Sequence, residues 1–307
     1  MIFLERFVLP RMEDEDRILE IKGCQNGGPH PYIDNSYPCG IFTKNYLTEL
    51  DFDNITILYG GNGSGKSTLL NLIGKKLNIS TITPCNTSET FDLYVKYCNY
   101  RMEYDFQDRE CEEMILRNSR MIRSDDIFDY MLAARNYNED IAFKTQEGKE
   151  DWLKLKYGET IKFNGLEDYE ALRLQVLSRK KSLSRRNFVK KLVGNELKLN
   201  SNGETALEFF DKNLKENAIY LLDEPENSLS PKMCLQLKEL LEEKARYDNC
   251  QLIIATHSPF MLALEKAKIY DLDSTPVDIK NWWELENTKT YFDFFNKNKD
   301  LFLKNKN

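Results

Sequence analysis

An α/β fold on a mostly parallel sheet is what this sequence predicts, and three stretches predict it. The first is a short apolar run, Ile55–Tyr59, that enters a glycine-rich turn and leaves it as the helix-like Leu69–Ile73. The second is Ala218–Leu222, an apolar run that ends in Asp223-Glu224-Pro225-Glu226. The third is Gln251–Ala255, separated from the second by Lys232–Tyr247. There, leucines at 235, 237, 240 and 241 mark an amphipathic helix of the kind that links parallel strands.

In chain order, Phe3–Leu9 and Arg17–Lys22 read as short strands, and Gly27-Gly28-Pro29-His30-Pro31 breaks regular structure. Tyr37-Pro38 and then Leu47–Asp53 lead into the strand before the glycine turn. Residues 79–110 are aromatic and polar, and Phe91–Tyr97 alternates as a strand does. Glu110–Arg135 takes a helical pattern, and residues 136–200, rich in Lys, Glu, Leu and Asn, read as a helical insertion. From Val277 onward the tail reads as helix with an aromatic side: Trp282, Trp283, Phe292, Phe294, Phe295 and Phe302.

Composition narrows the classes. At 307 residues the chain can bury one large core or two modest ones. With 41% hydrophobic and 30% charged residues it is expected to be globular rather than disordered. No apolar run approaches the roughly 18 residues a bilayer span needs, so no membrane is expected. The early charges at Glu5 and Arg6 do not suit a secretory segment, and the expected place is the cytoplasm. A net charge of −7 argues against a protein that coats nucleic acid as a whole. Seven scattered cysteines without a C-x-x-C pair do not make a zinc site, and two histidines cannot make a cluster.

The chemistry-bearing stretches follow the strands. Gly60-Gly61-Asn62-Gly63-Ser64-Gly65-Lys66-Ser67-Thr68 has the form that wraps a nucleoside triphosphate. Glycines let backbone N–H groups converge on phosphate oxygens, and the following helix N-terminus adds unpaired donors and a positive partial charge. Lys66 then reaches the β- and γ-phosphates, and the Ser67 hydroxyl ligates Mg2+. A buried strand that ends in carboxylates presents them at the carboxyl edge of the sheet. There Asp223 is expected to hold Mg2+ and Glu224 to act on the attacking water as general base. His257 follows the next strand, at the same edge, with a hydrogen bond to offer the γ-phosphate. Ser201-Asn202-Gly203-Glu204 taken alone is a turn in which Ser201 caps a helix.

In this order the four motifs resemble those of the ATP-binding-cassette (ABC) ATPase superfamily. More narrowly, they are similar to the stand-alone RecF/SMC-like ATPases found as single soluble chains. Tyr37-Pro38 and Ser124–Tyr130 share that likeness, which covers roughly residues 1–270. It implies one ABC-type P-loop NTPase domain over 1–307: a mixed or parallel central sheet, an antiparallel N-terminal part, a helical insertion at about 110–200 and a helical tail at about 277–307. It also implies a head-to-tail homodimer with ATP and Mg2+ between protomers. Ser201, Gly203 and Glu204 would meet the γ-phosphate held by the other chain, and Asn227, Ser228 and Leu229 would cross the seam. Asn202 stands where transporter signatures carry glycine, which favours the RecF/SMC-like branch. The Mg2+-sensing position is open between Gln107, Asp125 and Asp126, and adenine stacking is open between Tyr32, Tyr37 and Phe42.

Arg173–Lys191 carries eight basic residues (173, 179, 180, 181, 185, 186, 190 and 191) and no acidic one. It is a candidate nucleic-acid face, or a solvated surface that docks on an acidic partner. The expected function is a regulatory or mechanical ATPase acting on nucleic acid or controlling a separate effector, a nuclease or toxin, as relatives do in bacterial anti-phage systems. The rival is the nucleotide-binding subunit of a membrane transporter.

Overall fold

The computed structural model describes residues 1–25, 36–83, 88–103, 109–159, 168–180, 184, 187, 202–227 and 229–303. The chain divides into two units, Met1–Phe128 with Ala206–Asn307, and Asp129–Thr205.

The first unit is built on two sheets. Strands β1 (Leu4–Val8), β2 (Glu49–Asp51) and β5 (Asn99–Met102) form an antiparallel sheet in the order β2-β1-β5. The larger sheet contains β3 (Ile55–Tyr59), β4 (Ser80–Thr81), β6 (Arg120–Arg123), β7 (Ile219–Asp223), β8 (Gln251–Thr256), β9 (Lys268–Asp271) and β10 (Asp278–Ile279). Its order is β10-β9-β3-β8-β7-β6-β4, and every pair but β10–β9 is parallel. β3 and β8 are buried at every residue, as strands covered on both faces must be, which is why they read as continuous apolar runs. The observed class is therefore a mixed α/β fold with a parallel central sheet.

Side chains of the larger sheet join it to the smaller one, Tyr270 at Asp51 and Gln251 at β1. Gln251, fully buried at the start of β8, accepts from Phe3 N at 3.0 Å and Leu4 N at 2.7 Å. Its amide nitrogen donates to Leu4 O at 2.8 Å and Asp53 O at 3.2 Å. Both ends of the amide are thus used to capacity. Gln251→Leu keeps the size but strands these buried backbone groups. With each orphaned buried group costing about 1–3 kcal/mol, the loss is expected to be at least about 4 kcal/mol, readable as a lower urea midpoint.

Four expectations give way. Where Arg17–Lys22 was read as strand, helix α1 (Met12–Gln25) runs instead. Its first turn holds Glu13, Asp14 and Glu15, which suit a helix N-terminus, and Arg11 N donates to Asp14 Oδ2 at 3.2 Å. Phe91–Tyr97 belongs to helix α3 (Glu89–Tyr97), not to a strand. Ser88 caps it by accepting from Phe91 N at 3.1 Å, and buried Phe91, Tyr94 and Val95 sit at helical spacing. The stretch Glu110–Arg135 is not one helix. Helix α4 (Arg109–Asn118) ends before β6, and α5 (Ser124–Tyr157) begins directly after it. The tail is helical only after β10, as α10 (Glu286–Lys297) and α11 (Lys299–Leu303). The remaining helices of this unit are α2 (Lys66–Lys76), α8 (Pro231–Tyr247) and α9 (Pro259–Leu262), with α7 (Asn202–Asn213) starting inside the other unit.

Asp129–Thr205 contains the rest of α5 and helix α6 (Tyr169–Arg179). Trp152 packs with Leu155, Leu174 and Leu177, the small core of this unit, and Lys156 Nζ lies 4.2 Å from the Trp152 ring centre. Of the basic stretch, Arg173 and Arg179 lie on α6 and Lys180 follows it. Lys181, Arg185, Arg186, Lys190 and Lys191 lie outside the described residues, as does the Gly27–Pro31 break. Among the described residues no helix is long and apolar enough to cross a membrane.

Candidate nucleotide site

The loop between β3 and α2 has the backbone its glycines allow. Gly63 and Gly65 sit at φ +84° and +96°, a region side chains avoid. At Gly60 a Cβ would lie 2.4 Å from Ser64 Oγ, so no larger residue fits that turn. Lys66 is buried, and its ammonium donates to Gly60 O at 2.8 Å and Gly61 O at 3.0 Å. Asn62, with Gly61 and Gly63, is exposed at the loop tip. Ser64 Oγ is buried without a partner. The Thr68 hydroxyl points the other way and accepts from Tyr37 at 2.9 Å.

Asp273 holds the loop from the turn after β9. Its Oδ2 accepts from Gly61 N at 2.7 Å, an approach open because Gly60 and Gly61 carry no side chain. The acceptor steadies the loop while its charge opposes an incoming anion, and two substitutions separate these effects. Asp273→Asn keeps an acceptor and Asp273→Ala removes it. The alanine variant is expected to bind nucleotide about fivefold more weakly than the asparagine variant, the worth of one modest hydrogen bond, in a fluorescent-nucleotide titration.

At the carboxyl edge, β6, β7 and β8 lie side by side, with Arg123 opposite Asp223 and Asp223 opposite Ala255. Ser67 donates to Asp223 Oδ1 at 2.9 Å, which joins the start of α2 to the end of β7. Burial pushes the Asp223 carboxyl above its ordinary range, the Ser67 hydrogen bond pulls it back, and Glu224 pushes it up further. Glu224 takes φ +48° and donates its N–H to Ala255 O at 2.9 Å, so the chain turns out of the sheet there. Its Oε1 lies 3.2 Å from His257 Nδ1. Glu226 is buried. Its Oε1 accepts from the Thr256 hydroxyl, whose oxygen accepts from Ser258 N at 3.0 Å, so the turns after β7 and β8 are tied together.

The raised Asp223 carboxyl has a stability consequence. The folded chain holds that proton to higher pH than the unfolded one, so stability falls as pH rises from about 4 through the raised folded value. The penalty grows as pH rises through that range. Asp223→Asn removes the charge, and without nucleotide it is expected to melt higher than the parent at pH 7, on the order of 2 °C, with the gap closing in acid.

Arg123 and Asp273 went unnoticed in the sequence, and Glu226 was read only as part of the acidic turn. Arg123 Nη2 donates to Asn71 Oδ1 at 2.8 Å and Nη1 to Thr83 O at 3.1 Å, which fixes the end of β6 beside Asp223. Among the Mg2+-sensing candidates, Asp126 is buried with both oxygens in use, from Thr83 Oγ1 at 2.6 Å and Arg123 N at 2.9 Å. It anchors the start of α5. Asp125 is exposed, and Gln107 lies outside the described residues. Among the adenine candidates, Tyr37 stacks on Phe91 at 5.8 Å and Phe42 is buried against Gly65, so both belong to the packing around α2. Tyr32 lies outside the described residues. Gly203 and Glu204 open α7 in the unit Asp129–Thr205, while Ser201 and Ser228 lie outside the described residues.

The residues present fit Mg2+. Ser67 and Asp223 offer two hard oxygens within hydrogen-bond distance. Among the described residues there is no cluster of three or more ligating side chains that would make a closed protein cage. Two protein oxygens beside a phosphate loop are the donor set of an ion that keeps waters and phosphate ligands. The orphaned Ser64 hydroxyl suits a phosphate oxygen.

The chain thus combines a parallel central sheet, a glycine loop after β3 and an acidic end to β7 in one mixed α/β fold. A family model described as an AAA ATPase domain matches residues 197–262. Over 209 residues the chain is 29% identical to an uncharacterized ABC transporter ATP-binding protein/permease of Saccharomyces cerevisiae, a match covering 67% of this chain and 14% of that protein. Over 73 residues it is 42% identical to the DNA mismatch repair protein MutS of Fusobacterium nucleatum, covering 24% of this chain and 7% of that one. The chain therefore spans a small part of either relative's length. Among solved structures, it is similar to the Smc head domain of Pyrococcus furiosus with an extended coiled coil, bound to the C-terminal domain of ScpA. That likeness has a TM-score of 0.40 and 14% identity over 97% of this chain and 100% of that one. It is also similar to cbiO1 from Clostridium perfringens, part of the ABC transporter complex cbiONQ. The TM-score there is 0.39, with 18% identity over 87% and 91% of the two chains. At these values the likeness carries no residue correspondence.

Proposed function

We propose that this chain is an ATPase that closes as a homodimer around two Mg-ATP and opens on hydrolysis. The observation that carries the reading is the convergence at one sheet edge of Lys66, the Ser67–Asp223 pair and the Glu224–His257 pair. Lys66 has only its own loop's carbonyls to give up when phosphates arrive. Ser67 and Asp223 would hold Mg2+, which would supply charge neutralisation to the phosphates. Glu224 takes the proton of the attacking water. His257 lies with Nδ1 beside Glu224 and offers a hydrogen bond to the γ-phosphate oxygen, which offsets developing charge. Gly61 to Thr68 surround the phosphates, and Ser201, Gly203 and Glu204 close the site from the second copy.

The closed dimer is the signal and hydrolysis its release, since only γ-phosphate contacts favour closure. The output is control of a separate effector chain, a nuclease or toxin, in the cytoplasm of a bacterium, as anti-phage defence. Arg173–Lys191 provides the face for nucleic acid. Light scattering tests the dimer. Glu224→Gln with ATP and Mg2+ is expected to double in mass, and with ADP to stay a monomer. A monomer in both overturns the sandwich.

A further inference from the structure

The peptide between His257 and Ser258 is held at both of its polar atoms. Ser258 N donates to the Thr256 hydroxyl at 3.0 Å, and that hydroxyl donates in turn to buried Glu226. On the other side, His257 O accepts from the side-chain amide of Asn287 at 3.2 Å. A peptide unit is planar, so bonds to its N–H and its C=O together set the tilt of the plane on which the His257 Cα stands. The imidazole needs such a hold. Its side chain is 49% exposed, and an exposed side chain is left free to change rotamer.

Asn287 lies 30 residues further along the chain, in the first turn of α10, and its own place is fixed. Its backbone N–H is one of the first-turn groups that lack a partner inside the helix, and it donates to the Tyr59 hydroxyl at 3.2 Å. Leu285 before it is fully buried, and Thr288 after it is buried as well. Tyr59 ends β3 and leads directly into the glycine loop. One residue of α10 is thus bonded both to the strand that feeds the loop and to the histidine that faces Glu224.

We propose that Asn287 is a positioning residue for His257. By donating to the His257 carbonyl it sets the direction in which the imidazole leaves the backbone, and so where the ring meets Glu224 and the γ-phosphate. An amide suits the task. A carboxylate of the same size has no hydrogen to give a carbonyl, and an alanine side chain falls short of it. The effect on turnover rests on the ATPase reading, whereas the effect on the order of the ring does not.

The chain has two histidines, so the ring signals of His257 can be picked out in a proton–carbon NMR spectrum of the nucleotide-free full chain by their loss in His257→Ala. In Asn287→Ala and in Asn287→Asp they are expected to move toward the positions of an unconstrained histidine. Steady-state phosphate release is expected to show kcat lowered about tenfold in both variants with KM near that of the parent, the mark of an interaction that counts in the transition state. Tyr59→Phe leaves the Asn287 amide intact and removes the acceptor of its N–H. It is expected to lower kcat about threefold, the worth of one modest hydrogen bond. Asp293→Ala, at an exposed position further along the same helix, is expected to change neither the signals nor kcat. Ring signals that stay in place in both Asn287 variants overturn the proposal, as does an equal shift in Asp293→Ala. Moved signals with a parental kcat overturn the effect on turnover. Moved signals in a chain whose parent hydrolyses no ATP support the positioning and sink the ATPase reading instead.

Discussion

Glu224→Gln is expected to lower ATP turnover by about 10²–10⁴-fold, the range a positioned general base supplies, while nucleotide affinity stays near that of the parent. The split follows from where the residue stands. Asp223, one residue earlier, is still in β7 and faces Ser67, so the Ser67–Asp223 pair is untouched by the change. Glu224 makes the last ladder bond, from its N–H to Ala255 O, then turns away at φ +48°, and its side chain faces His257 instead. An amide keeps the size and one acceptor but takes up no proton. Steady-state phosphate release beside an equilibrium nucleotide titration checks both halves. A variant that turns over at the parental rate would show that the base is another group.

Gly65→Ala is expected to destabilise the folded state through backbone strain and overpacking together. The position sits at φ +96°, where an L side chain is strained by about 1–2 kcal/mol. The new Cβ would also lie 2.8 Å from Ile41 Cγ2 and 3.1 Å from Phe42 Cε1, with Phe42 buried at 2% exposure and unable to retreat. Overpacking of this kind costs about 1–3 kcal/mol, so a total of about 3 kcal/mol is expected in urea unfolding. Lys66 and Ser67 follow directly, so nucleotide binding should be lost even where the chain stays folded. Gly63→Ala is the control. It has φ +84° but nothing within 4 Å of the added carbon, and should show the backbone cost alone.

How much of this was legible in the sequence depends on how each residue is held. β3, β7 and β8 stood out because parallel strands buried on both faces are unbroken apolar runs, and the chemistry lies where those runs stop. β6 did not stand out. It has four residues with arginine at both ends, and only Met121 and Ile122 are buried, so it vanished between two helices. With it vanished Arg123, whose place beside Asp223 depends on strand order rather than spacing. α1 and α3 were misread for a related reason. Short stretches of mixed apolar and charged residues fit both periods, and the deciding features were an acidic first turn and a Ser88 cap. Asp273 contacts Gly61 across 212 residues of chain, and no local pattern announces such a pair. Glu226 was visible as one of four residues in an acidic turn, but its burial and its tie to Thr256 come from the packing of β7 on β8.

The central claim is that the glycine loop and the Ser67–Asp223 pair together hold a metal-bound triphosphate. Calorimetric titration of ATP into Glu224→Gln, with Mg2+ and then with a chelator in its place, tests it most directly. Tight binding with Mg2+ that falls at least tenfold without it, and falls likewise in Asp223→Asn with Mg2+ present, is the expected result. Binding indifferent to Mg2+ and to Asp223, or no binding at all, would contradict it.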